Sequence, residues 1–185
     1  LISALPKELS GSWGIGHTRW ATHGLVTDQN AHPFYSQNKK IAVVHNGIIE
    51  NFQSLRKSLK DEGYIFSSET DSEVIPNLVE KYYSGNLLEA VQKALDNVIG
   101  TYALAITSVC EPEKIVVAKR GGPIVIGIAE NAYYIASDVN AIVGNTNRVI
   151  YLDDGDIVEV SKSGLKFPKI QNNDYAKRVE EITIN

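Results

Sequence analysis

The chain has 185 residues, 43% hydrophobic and 22% charged, with a formal charge of −4, enough for one ordinary domain with a substantial core. Its Lys and Arg are scattered, which argues against nucleic acid as a partner and leaves no basic patch for a membrane surface, and the longest apolar runs, such as residues 41–44, are too short to cross a bilayer. The single cysteine, Cys110, excludes an internal disulfide framework and fits a reducing cytosol, so a cytoplasmic location is expected; Cys and His are too few and too dispersed for a zinc site. The chain has no methionine, so it is expected to be a processed product or a piece of something longer. Residues 1–11 carry Lys7 and Glu8 and lack the apolar stretch of a signal peptide.

In chain order, residues 13–19 read as a strand running into a loop at 21–24. Residues 40–45 form a short apolar run with paired valines, a buried strand. Phe52, Leu55 and Leu59 share one face of a helix over 51–62 that stops at Gly63. Thr70-Asp71-Ser72-Glu73 fits a capping box, so a helix is expected from there to about Tyr83. Leu88, Val91, Leu95 and Val98 mark a further helix ending near Gly100. Tyr102, Leu104 and Ile106 alternate as in a strand, and 114–119, 124–128 and 132–136 read as further strands. Asp138 is placed to cap a short helix through Val143. Asp153-Asp154-Gly155-Asp156 and Lys162-Ser163-Gly164 are turn signals. The domain is expected over 1–168, with the polar residues 169–185 leaving it as a linker. Strands and helices come in clusters, which predicts stacked sheets covered by helices, not a doubly wound sheet.

Two segments are too specific for packing alone. Gly16-His17-Thr18-Arg19-Trp20-Ala21-Thr22-His23-Gly24 places a guanidinium, an indole, a hydroxyl and imidazoles at the end of an expected strand. His45-Asn46-Gly47 follows the buried strand, and Glu69-Thr70-Asp71 stands at a helix start. A free amino acid needs a planar donor for its carboxylate, which Arg19 can supply, and an anion for its ammonium, which Asp71 can supply. An attacked side-chain amide becomes an oxyanion, for which the Asn46 amide and the Gly47 N–H are a plausible donor pair. Each has a plainer reading: a surface ion pair for Arg19, a helix cap for Asp71, core packing for Trp20 and a type I′ turn for Asn46-Gly47. His17, His32 and His45 read as structural histidines, Lys119-Arg120-Gly121-Gly122 as a turn, and Cys110, remote from every motif, as no catalyst.

GIGHTRWATHG, HNGIIENF, SETDSEVI, GTYALAI and KRGGPIVIGIAENAYYIASD, in that order, resemble the glutaminase domain of the glucosamine-6-phosphate synthases, class II glutamine amidotransferases, over residues 13–159. The related phosphoribosylpyrophosphate amidotransferases carry a Tyr-Ser pair where this chain has Trp20-Ala21. The resemblance implies an α+β fold, the four-layer αββα sandwich of N-terminal-nucleophile hydrolases, incomplete at its N-terminus. It implies that Arg19 binds the glutamine α-carboxylate and Asp71 the α-amino group. Thr22 and the backbone of His23 add substrate contacts, Trp20 covers the site, and Asn46 and Gly47 form the oxyanion hole. No cofactor or metal is implied. The implied partners are L-glutamine, a sugar isomerase domain acting on fructose 6-phosphate, and further copies of the full enzyme in a homodimer or larger assembly. The family's nucleophile is a cysteine at the mature N-terminus. Its strand is expected upstream of Leu1, leaving this chain inactive alone. A non-catalytic glutamine-binding module, or the glutaminase domain of another class II amidotransferase, is the alternative.

Overall fold

The structure is a computed structural model that describes residues 11–18, 27–169 and 175–183. Two antiparallel sheets form its centre. The larger has the order β1-β2-β3-β4-β8-β9, from β1 (Phe34–Tyr35), β2 (Ile41–Ile49), β3 (Gly100–Ser108), β4 (Lys114–Arg120), β8 (Ile157–Ser161) and β9 (Gly164–Lys166). The smaller has the order β10-β7-β5-β6, from β5 (Val125–Ile128), β6 (Tyr133–Ala136), β7 (Arg148–Tyr151) and β10 (Glu180–Glu181). Three helices, α1 (Phe52–Asp61), α2 (Val74–Tyr82) and α3 (Leu87–Leu95), cover one face of the larger sheet.

Strand β3 shows how the layers are held. Successive side chains of a strand point to opposite faces. Tyr102, Leu104 and Ile106 meet the helices, while Ala103 and Ala105 face the second sheet. Both faces are therefore buried along Tyr102 to Ile106, which is why that stretch is apolar and does not alternate with polar residues. α2 is buried from Val74 to Val79 on every side, and even its Asn77 is satisfied, accepting the Gln37 N–H and donating to the Glu73 carbonyl. Three layers, helices, sheet and sheet, are present among the described residues.

Several boundaries differ from expectation. No strand is assigned over 13–18; Trp13, Ile15 and His17 turn inward and Gly14, Gly16 and Thr18 outward, as in an extended chain, but no described strand pairs with it. The capping box does not form. Thr70 bonds Ser68 Oγ, and Glu73 accepts from the backbone N–H groups of Ser67 and Ser68, so α2 begins at Val74 without a side-chain cap. α3 ends at Leu95 and not near Gly100, because Gly100, at φ 129°, already opens β3. Within the tail expected to leave as a linker, residues 175–183 instead pack on the domain. Tyr175 stacks on Phe167, Arg178 pairs with Asp153 and Asp156, and β10 extends the smaller sheet. Tyr175, Val179 and Ile182 also pack against the apolar clusters of the domain, a contribution that the surrounding polar residues concealed. Asp138 does act as a cap, but of a 3-10 turn, Val139–Ala141, shorter than the helix expected through Val143.

Candidate active site

Asn46 and Gly47 lie inside β2, paired with Ala103 and Tyr102 of β3. The type I′ turn is thereby excluded, because the ladder continues to Ile49 and Gly100. The ladder also fixes where the N–H groups point. Glu50 N–H donates to the Ile99 carbonyl, and Val109 N–H donates to that of Lys40. Antiparallel pairs alternate, so even-numbered residues of β2 face β3. The N–H groups of Gly47 and Ile49 face the opposite edge, past the end of β1, which pairs only with Ala42 and Val43.

Asp71 meets that edge. Its Oδ2 accepts the Ile49 N–H at 2.7 Å, while Oδ1 has only a long contact, 3.4 Å, from the Ser72 hydroxyl. The helix-cap reading therefore fails, since the carboxylate bonds a strand. Asp71 is 3% exposed, and among the described residues no cation pairs with it. Buried charges are ordinarily paired; this carboxylate is held, among the described residues, only by neutral donors.

The loop before Asp71 is clamped on both sides. Arg56 of α1 donates to the carbonyls of Ser68 at 3.0 Å and Thr70 at 2.6 Å, its guanidinium lying over the rings of Phe66 and Phe52. The Glu73 carboxylate takes the loop's N–H and hydroxyl groups. Arg56 escaped the sequence reading, although a signal existed. With Phe52, Leu55 and Leu59 it occupies the inward face of α1, where a charged residue requires a partner.

Gly47 has φ 134°, and a Cβ there would overlap the Thr101 carbonyl oxygen. The glycine is demanded by close packing of β2 on β3, a reason additional to any approach of substrate. Thr101 also accepts the Ile48 N–H through Oγ1 and faces His45 Nε2 at 3.4 Å with its carbonyl. His45 Nδ1 pairs with Ser72 Oγ at 2.8 Å. Burial is the main cause that pushes its pKa below the ordinary 6.5, against the pull of Asp71, so the ring is neutral at pH 7 and links β2 to the Asp71 turn.

On the other face of β2, His17 Nε2 stands 2.6 Å from Asn46 Oδ1. Beside them a cavity of about 440 Å³ opens between the sheets, against Ala103, Ala105 and Ile124. Small alanines leave that space. Arg19, Trp20, Thr22 and His23 lie outside the described residues. Among the described residues, no cluster of His, Cys, Asp or Glu could hold a metal, and no helix is long and apolar enough to cross a membrane.

Residues 8–182 match the family model described as a glutamine amidotransferase domain. The chain belongs to that family. It is 48% identical over 176 residues to glutamine–fructose-6-phosphate aminotransferase (isomerizing) of Clostridium acetobutylicum, covering 95% of this chain and 29% of that protein. It is also 48% identical over 177 residues to the protein of that name from Methanothermobacter thermautotrophicus, covering 95% of this chain and 30% of the relative. The domain thus spans under a third of the length of these relatives. Among solved structures, the phosphoribosylpyrophosphate amidotransferase of B. subtilis superposes with a TM-score of 0.68 at 28% identity, covering 91% of this chain and 34% of that one. The fold is that of the N-terminal-nucleophile amidotransferases.

Proposed function

We propose that the domain binds L-glutamine along the free edge of β2 and stabilises the oxyanion formed when its amide is hydrolysed to glutamate and ammonia. In the longer protein the ammonia passes to a sugar isomerase domain that converts fructose 6-phosphate to glucosamine 6-phosphate, the reaction to which the names of its relatives point. The carrying observation is the shared edge. Gly47 N–H and the Asp71 seat at Ile49 are two strand residues apart, about 7 Å. The α-nitrogen and amide carbon of glutamine, four bonds apart, span about 5 Å when extended. Asp71 holds the ammonium, and Asn46 with Gly47 receives the developing negative charge. Arg19 takes the α-carboxylate, with Thr22 and His23 beside it and Trp20 as cover, roles that rest on their sequence motif.

The attacking thiolate is not among these residues. The chain's one cysteine, Cys110, is exposed in the turn after β3. The nucleophile in this reading is an N-terminal cysteine supplied by an upstream segment, and residues 1–185 alone bind glutamine without hydrolysing it.

The test is glutamine hydrolysis by the complete polypeptide with Asn46→Ala. Loss of one oxyanion donor costs on the order of 10²–10³ in kcat, with KM nearly unchanged because the charge exists only in the transition state. A raised KM at constant kcat would make Asn46 an ordinary binding residue and sink this assignment.

A further inference from the structure

An asparagine serves an oxyanion only through its NH2 group; turned over, the same amide presents a carbonyl oxygen to a developing negative charge and opposes it. Something must therefore choose between the two orientations. The contact between His17 Nε2 and Asn46 Oδ1, at 2.6 Å, does so. A carbonyl oxygen only accepts, so Nε2 carries the proton and donates. With Oδ1 committed to His17, Nδ2 is left as the outward donor.

The His17 ring is itself held. Its centroid lies 4.2 Å from that of His32 with the planes tilted by 35°. His32 meets Phe34 edge-on at 4.7 Å. Phe34 is buried in β1 and pairs with Val43, three residues before Asn46 on β2. The ring column thus closes a circuit from β2 through β1 and back to Asn46, and it fixes the donor against the strand that it serves. We propose that His17 is a positioning residue, holding the Asn46 amide with its NH2 toward the substrate. This rests on the reading of Asn46 as an oxyanion donor.

A double-mutant cycle on the complete polypeptide separates the two claims. His17→Phe keeps a ring for the stack and removes the donor. It should lower kcat about tenfold and leave KM for glutamine within about twofold, since the amide acts only in the transition state. His17→Gln, which retains an N–H donor, should recover part of the loss. In an Asn46→Ala background, His17→Phe should cost nothing more. Full additivity in the double variant would overturn the positioning role while leaving Asn46 in place. An unchanged kcat in Asn46→Ala alone would overturn the oxyanion reading instead. The wild-type protein gives a measurement that needs no variant to fold: nitrogen NMR of the His17 ring should show the proton on Nε2. A neutral ring protonated only at Nδ1 would end the proposal.

Discussion

Asp71 gives one carboxylate oxygen to the backbone N–H of Ile49, at 2.7 Å, across the edge of β2. A residue that sequence places at a helix start thus belongs, in space, to the strand that carries Asn46 and Gly47. The bond fixes the second oxygen, which has only a 3.4 Å contact from Ser72, beside the strand edge that the proposed oxyanion donors share.

Asp71→Asn keeps an oxygen for the Ile49 N–H and removes the charge. The KM for glutamine should rise at least about tenfold, in keeping with about 1.5–3 kcal/mol for a hydrogen bond to a charged group. An analogue lacking the α-amino group should be hydrolysed equally well by both proteins. Equal losses for the two compounds would reduce Asp71 to a structural residue.

Gly47→Ala should fail first as a folding variant. Its φ of 134° and the overlap of a Cβ with the Thr101 carbonyl imply a loss of about 1–3 kcal/mol or more. Thermal unfolding and kcat should fall together. A variant as stable as the parent would show that β2 can move away from β3 at that point.

Arg56→Ala should free the carbonyls of Ser68 and Thr70 and loosen the Asp71 loop. Stability should drop by about 1–3 kcal/mol, as for other buried groups left without partners, and KM for glutamine should rise while that for the analogue without the α-amino group rises less. Arg56→Lys keeps the charge but cannot bridge two carbonyls in one plane, so it should recover little. Hydrogen exchange over residues 66–72 reads the loosening directly.

His45 sets a pH dependence. Burial lowers its pKa in the folded state, so protons bind the unfolded chain more readily. Its contribution to stability is complete above the unfolded value of about 6.5 and is lost as pH falls from there toward the folded value. Melting temperature should decline more steeply below pH 6.5 in the parent than in His45→Gln. Parallel profiles would place the acid sensitivity elsewhere.

Cys110→Ser should leave glutamine hydrolysis by the complete polypeptide unchanged. Asn46 pairs with Ala103, and Cys110 lies beyond Ser108 at the far end of β3, at least about 17 Å of strand away. A loss of turnover on removing this thiol would overturn the assignment of the nucleophile to an upstream cysteine.

The sequence by itself determined the main elements and the family, and it singled out candidate site residues. Periodicity marked β3, β4 and α1, because a buried face repeats every two residues in a strand and every three or four in a helix. Asn46, Gly47 and Asp71 stood out as candidates because a charged or turn-forming residue in a specific motif contrasts with its surroundings. What the sequence left open were choices between partners. Thr70 and Glu73 suit a capping box, but Ser68 and the loop amides compete for the same side chains and win. Asn46-Gly47 suits a hairpin turn, but 55 residues on, Tyr102 and Ala103 pair with them instead. The largely polar stretch 169–185 suits a linker, yet Asp153 and Asp156 hold Arg178 against the domain. His17 and Asn46, 29 residues apart, meet beside the ring column that stands on the β1–β2 pair. In each case the deciding partner is distant in sequence, and local propensity, worth at most about 1 kcal/mol per residue, yields to a buried hydrogen bond or a strand ladder that only the folded chain brings within reach.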